Sequence, residues 1–375
     1  MPQEPKRAAS QPSTPARQWV LRIESGSVFE ALVIAAASLH QSQDAKYDLG
    51  KAWFDRVAAD APNALAQVRA FSAGSVRIWD HVLGFVLDAG APFEVATVVS
   101  HLRETDPHTV LLNLLGRQSR PVQRAIGHEL IERAADGDAA AQRTFLRLAW
   151  PDEVGWQDCL RRIFGQPAAK TRDELVGLLE SLDREVVPRY VSPLLGALHA
   201  DAAEKVRAAD ELDSEALLRF ALDTGYSPTA DVEEVVLVPS FVVRPYFYYV
   251  EHANQMLFLY PRPDRAAESV GAGPPERLVK LTNALGDRIR LEILAALRRG
   301  DLSMKELGEQ LDLPGTTLRH HVGVLAGAGL IGPIQTEGGF SSWGFRREAV
   351  EVVVDLLDRY WTPKPGTQRA SAARE

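Results

Sequence analysis

The chain has 375 residues, 46% of them hydrophobic, and a formal charge of −8 at neutral pH. That is enough for two or three domains with sizeable cores, and it excludes an indiscriminate polyanion coat. A single cysteine, Cys159, excludes an intrachain disulfide or thiolate cluster.

Residues 1–18 are rich in Pro, Ser, Ala and charge and lack the apolar centre of a signal peptide, so they are expected to be a disordered N-terminus. The longest apolar run, about 28–39, is interrupted by Glu30 and too short to span a bilayer; a soluble, cytoplasmic protein with no membrane partner is expected. Trp19 to Glu24 alternates as a short strand. Ser27 and Glu30 have capping-box spacing at the head of a helix. From there to Asp223 Pro, Gly and Asp punctuate amphipathic helices, predicted over 50–59, 64–87, 92–104, 107–115, 121–135, 139–149, 153–164, 172–186, 188–208 and 215–222. Asp106-Pro107 reads as an N-cap followed by a first-turn proline, and Thr171 with Glu174 as another capping box. Cys159, among Trp156, Leu160 and Ile163, reads as a buried helix residue. The segment 234–260 is dense in β-branched and aromatic residues and predicts two or three strands, with Trp19–Glu24 as a further partner. Phe241, Tyr246, Tyr248 and Phe258 are candidates for the lining of an apolar effector pocket; an ordinary sheet packed on helices is the alternative. Residues 19–260 thus form a helical body with a small sheet, a sensor or oligomerisation domain, and 261–275 a linker.

The C-terminal part carries the clearest pattern. Arg288–Leu297 sets Ile289, Ile293, Leu294 and Leu297 on one helical stripe. Ser303 with Glu306 is a capping box for a helix over 304–311. A turn at Asp312–Gly315 leads to a third helix, about 316–328, whose Leu318, Val322 and Leu325 face a core. Thr316, His320 and Gly323 lie opposite, flanked by Thr317 and Arg319. Hydroxyls, a cation and an imidazole at a helix start can reach base edges and phosphates together; a solvated face is the alternative. Two strands, about 330–335 and 340–345, flank a tip at Thr336–Gly339. Helix, turn, helix and hairpin in this order make a winged helix. Between Arg277 and Arg347 there are ten Lys/Arg against seven Asp/Glu, a net of +3 that leaves −11 for the rest of the chain.

Here the chain resembles the ArsR-type family of winged-helix transcriptional repressors. Ala284, Leu285, Asp287, Arg290, Ile293 and Leu294 match that family's first core helix. Thr317, His321, Val322, Leu325, Ala328, Gly329 and Leu330 match its recognition segment. A looser likeness, resting on the helix opening at Ser27–Glu30, the VLVPSFVV segment and the later Leu-Tyr-Pro, is to a helical N-terminal region attached to some of its members. The resemblance implies major-groove binding by the third helix and dimerisation through the helices flanking the reader, here 276–285 (Leu278, Leu281, Leu285) and 347–361 (Val350, Val353, Val354, Leu357, Trp361). Two departures stand out. The wing tip carries Glu337 where the family commonly has a cation, with Arg346 and Arg347 the nearest positive charges. The family's cysteine and His/Asp metal sets have no counterpart at 304–311 or 347–361.

No H-E-x-x-H, G-x-S-x-G, P-loop or G-x-G-x-x-G is present, so no cofactor, metal or catalytic residue is assigned and an enzyme is not expected. The fold class is mainly α, with a multi-helical N-terminal domain, a small β-sheet and a C-terminal winged helix-turn-helix at 276–361, before a disordered tail at 362–375. The expected function is sequence-specific binding of double-stranded DNA as a repressor and homodimer, with an unidentified small-molecule effector. The DNA contacts would be Thr316, Thr317, Arg319, His320, His321 and Gly323 on the third helix, Ser303 and Lys305 before it, and Arg346 and Arg347 after the wing. Among these, His321 falls near the buried edge of its helix and suits packing or a phosphate better than a base. A winged helix that docks on protein, or an enzyme in the helical body, are the rival readings.

Overall fold

A computed structural model describes residues 19–40, 47–210, 212–222, 231–244, 247–262, 276–336, 339–346, 353–354, 356–358 and 360–361. The chain is mainly α, with a small sheet and a C-terminal helix-turn-helix. Strand β1 (Val20–Ile23) leads into α1 (Ser27–Ala37), followed by α2 (Gly50–Asp60), α3 (Pro62–Ser72) and α4 (Arg77–Ala89). Next come α5 (Val95–Glu104), α6 (Pro107–Leu114), α7 (Arg120–Ile126), α8 (His128–Ala135), α9 (Ala139–Leu148) and α10 (Val154–Phe164). The longest helix, α11 (Ala168–Glu185), passes through a π-helical turn (Val187–Val191) into α12 (Ser192–Ala208) and then α13 (Ser214–Leu222). Strands β2 (Glu234–Ser240), β3 (Tyr248–His252) and β4 (Gln255–Pro261) complete the body.

Several predicted helices are divided or shifted. The one expected over 64–87 breaks at Ala73 and Gly74, both with positive φ, a conformation that ends a helix by turning the chain left-handed. The one expected over 121–135 breaks at Gly127 (φ 86°). Neither Ser27/Glu30 nor Thr171/Glu174 forms a capping box. Thr171 is buried inside α11, where its hydroxyl accepts from the Gln166 amide at 2.8 Å. Glu30 is buried too, and its carboxylate accepts the N–H of Phe241, far along the chain. Asp106 does cap α6, accepting from the Thr109 N–H at 3.1 Å.

The sheet has the order β1-β2-β4-β3, parallel except for the β3–β4 hairpin. Both faces of its central strands are covered, which explains their nearly unbroken apolar run. Val236, Val238, Val250, Leu257 and Leu259 face the helical core. Val235, Leu237, Met256, Phe258 and Tyr260 face a second cluster that includes Leu218 of α13. Tyr248 pairs with Leu259, and Tyr249 with Phe258. Because side chains alternate across a strand, Tyr248 packs toward the helical core and Phe258 toward the other face. Phe241, a third member of the predicted pocket set, is buried with the Arg244 guanidinium over its ring. These residues therefore do not converge on one cavity, and Tyr246 lies outside the described residues. Cys159 is buried in α10 with its thiol near the Phe71 carbonyl (3.6 Å), and burial pushes it up to about 12. Among the described residues no helix is long and apolar enough to cross a membrane.

The C-terminal part comprises α14 (Glu276–Leu285), α15 (Arg288–Leu297), β5 (Leu302–Ser303), α16 (Met304–Leu311), α17 (Gly315–Gly327), β6 (Ile331–Thr336) and β7 (Gly339–Phe345). The wing has three strands, in the order β5-β7-β6, rather than the two predicted: Leu302 and Ser303 pair with Trp343 and Ser342. Its own core unites Leu281, Ile293, Leu307, Leu318, Leu325 and Leu330.

Candidate nucleic-acid interface

The geometry of α17 is fixed from three sides. Leu318, Val322 and Leu325 are buried at i, i+4 and i+7, so one face is committed to the core. The turn before it is made by Asp312, whose left-handed backbone (φ 50°) ends α16; Asp tolerates that conformation better than most residues. Upstream, Ser303 and Glu306 form the expected reciprocal cap: the Ser303 hydroxyl accepts the Glu306 N–H at 3.2 Å, and the Glu306 carboxylate accepts the Ser303 N–H at 2.7 Å. That bonding holds the Glu306 carboxyl below its ordinary range. Ser303 is thus occupied as a cap. Lys305, by contrast, is well exposed, with a loose 3.9 Å pairing to Glu309 as its ion pair among the described residues.

The opposite face of α17 is open. Thr316, Arg319, His320 and Gly323 are exposed and Thr317 half-buried. A Cβ added at Gly323 would meet nothing within 4 Å, so another surface can approach the helix backbone there. Pro314, at the N-cap of α17, offers no side-chain acceptor to its first turn, and helix-start N–H groups of this kind suit phosphate oxygens.

Two residues assigned to DNA are placed elsewhere. His321 is buried, and its Nδ1 lies 3.7 Å from the Asp287 carboxylate. One step of about 100° around the helix separates it from exposed His320, which turns it into the domain. Arg346 is buried as well: its backbone N–H donates to the Leu330 carbonyl at 3.0 Å, and its guanidinium lies 5.8 Å from the ring centre of Phe247 in the body. It joins wing to body instead of reaching outward. Arg347 and Glu337 lie outside the described residues.

Asp287 and Arg290 also have structural work. The Asp287 side chain caps α15 by accepting the Arg290 N–H at 3.0 Å, which holds its carboxyl below the usual range. The buried Arg290 side chain donates to the carbonyls of Ala284 (2.9 Å) and Asn283 (2.7 Å), satisfying the end of α14.

The flanking stripes expected to meet a second subunit are partly used within this domain. Leu278, Leu281, Val353 and Leu356 are buried in its core, because α14 and the segment after the wing close over it. Val279, Val354 and Trp361 remain exposed, Trp361 by 70%. Sequence reasoning missed a cleft in the body, about 320 Å³ in volume, between the start of α4 and edge strand β3, lined among others by Arg77, Asp80, Trp150 and Tyr248. Of the described members of the predicted pocket set, Tyr248 alone reaches it. Its residues come from separate helices and a strand, so no local spacing could have grouped them.

No curated protein matches the chain, and no solved structure matches it. Residues 285–332, from the end of α14 to the first residues of β6, match the family model described as a helix-turn-helix domain. Together with the helix-turn-helix geometry of α15 to α17, this identifies the C-terminal segment as a helix-turn-helix domain.

Proposed function

We propose that the chain is a transcriptional regulator of the winged-helix, ArsR-like kind, which represses by binding an inverted-repeat operator with α17 in the major groove. The carrying observation is the division of α17: Leu318, Val322 and Leu325 hold it to the core while Thr316, Arg319, His320 and Gly323 stand open to a duplex. Thr317 and the uncapped helix start contact phosphate, and Lys305 adds charge nearby. Two copies pair through the apolar groups left exposed beside the reader, Val279, Val354 and Trp361, setting two recognition helices about 34–36 Å apart. The body senses or shapes rather than catalyses.

Selection of genomic fragments on the full chain would supply the duplex. Arg319→Ala and His320→Ala are each expected to cost roughly 1–3 kcal/mol of specific binding, measured by fluorescence anisotropy. Affinity should fall steeply with salt through counterion release. Unchanged affinity in both variants, or salt-insensitive binding, refutes the assignment. Light scattering tests the dimer; a monomer at micromolar concentration removes that part.

A further inference from the structure

The cleft beside α4 has a particular charge pattern. Arg77 at its rim is engaged: its Nε donates to Glu153 at 3.0 Å, and its guanidinium lies 4.0 Å from the ring centre of Trp150. Glu251 is engaged as well, paired with Arg120 at 3.0 Å. His81 turns its Nδ1 to the Leu114 carbonyl (2.6 Å), and burial lowers it to about 4, so it is neutral. Asp80 differs. Its hydrogen-bond partner is the hydroxyl of Tyr248, and among the described residues no cation lies within ion-pair distance of it; Arg77 attracts it from farther off, but the Glu153 carboxylate that holds Arg77 repels it. It keeps some access to solvent through the cleft, but the surrounding protein pushes its carboxyl up to about 6.

The uncompensated charge in this cleft is therefore negative. An anionic ligand would meet Asp80 and Glu251 with both local arginines occupied. A neutral one would leave Asp80 desolvated with only the Arg77 charge that it shares with Glu153, which is costly. A protonated amine supplies a counter-charge of its own. Tyr248 carries its ring on the Asp80 side of β3, where it suits an ammonium group by cation–π attraction. Phe247 and Tyr249 border the same cleft with their rings packed near Phe258, which suits a small apolar body. The volume is that of a small-molecule site.

We propose that this cleft binds a small organic amine, with Asp80 as its counter-ion and the Tyr248 ring as its aromatic wall, and that occupancy is felt by the winged helix. The connection is Phe247, which lines the cleft and also lies against Arg346. Arg346 follows β7, is hydrogen-bonded through its backbone to Leu330, and runs over Gly332 so closely that a Cβ there would come within 2.7 Å of its Nε. A ligand that resets Phe247 thus alters the seat of both wing strands. This second half rests on the DNA-reading function proposed above.

The first test needs no DNA. Benzylammonium, benzyl alcohol and benzoate are titrated calorimetrically into the full chain. Benzylammonium should bind at least tenfold more tightly than the other two, and Asp80→Asn should lose at least tenfold. Comparable binding of the alcohol or benzoate by the wild-type chain, no binding of benzylammonium, or undiminished binding in Asp80→Asn overturns the site. The three-ligand comparison stands even if the variant does not fold. In the second test, saturating benzylammonium should change affinity for the selected duplex at least threefold in the wild type and not in Phe247→Ala. Amine binding with no change in duplex affinity overturns the coupling alone.

Discussion

Glu30 offers a stringent test of the body's packing. It sits in α1, fully buried, with one carboxylate oxygen accepting the Phe241 N–H and the other, Oε2, without a hydrogen-bond partner. Burial pushes its carboxyl from 4.5 to about 7, even though hydrogen bonds from Phe241, Ser240 and Val242 pull the other way. In the unfolded chain it ionises near its ordinary value. Below that pH both states are protonated and nothing is lost. As pH rises further the unfolded chain gives up the proton while the folded one retains it, so each step favours unfolding. The loss is complete once pH exceeds the folded value of about 7. At ~1.4 kcal/mol per pH unit of separation, the cost at pH 8 is about 3 kcal/mol. Glu30→Gln removes this titration while the amide oxygen can still accept from Phe241. Urea unfolding of both proteins at several pH values between 5 and 8.5 should show the wild type losing about 3 kcal/mol relative to the variant over that span. The difference between the curves is the quantity to read, because Asp80 acts in the same direction and His81, lowered to about 4, in the opposite one. It also removes any constant cost of placing the amide nitrogen where Oε2 has no partner. Parallel curves would show that Glu30 is not a buried acid.

Two further outcomes follow from the geometry. Ser303→Ala should cost about 1 kcal/mol of stability in the reader's urea transition, the usual worth of an N-cap; lower duplex affinity with unchanged stability would instead make its hydroxyl a phosphate contact. Gly84→Ala in α4 should destabilise by about 1–3 kcal/mol through overpacking, because the added Cβ would lie 2.3 Å from Nδ1 of His252 and displace the ring whose Nε2 lies 2.8 Å from Asp88. Helix propensity alone predicts a gain there, so a more stable variant in thermal unfolding would contradict the packing.

The reader was largely legible in the sequence because its signals are local. Ser303 and Glu306 are three residues apart, and Leu318, Val322 and Leu325 define their own face. The body was legible as helices but not at its joints. Ala73 ends α3 in a left-handed conformation that nothing about alanine announces, whereas Gly127, a permissive residue, was passed over inside a favourable amphipathic pattern. Glu30 and Thr171 show a different failure. Each stands at capping spacing, yet each is used otherwise: Glu30 by the backbone N–H of Phe241, just past the distant strand β2, and Thr171 by burial within an earlier-starting helix. The pocket set failed on strand alternation, since Tyr248 and Phe258 come from aligned strands but face different layers.

The reader also shows why a recognisable segment and a functional surface are different sets of residues. Asp287 caps α15 and faces His321; Arg290 closes the end of α14; Leu318, Val322 and Leu325 bind α17 to both. These residues fix where α17 stands relative to α14 and α15. Thr316, Arg319 and His320 have no such duty, so they can serve the duplex contact proposed for α17 without unsettling the domain. His320 and His321, neighbours in sequence with rings 5.5 Å apart, fall on opposite sides of that division. Replacing the first should change what is bound; replacing the second should loosen the helix that does the binding.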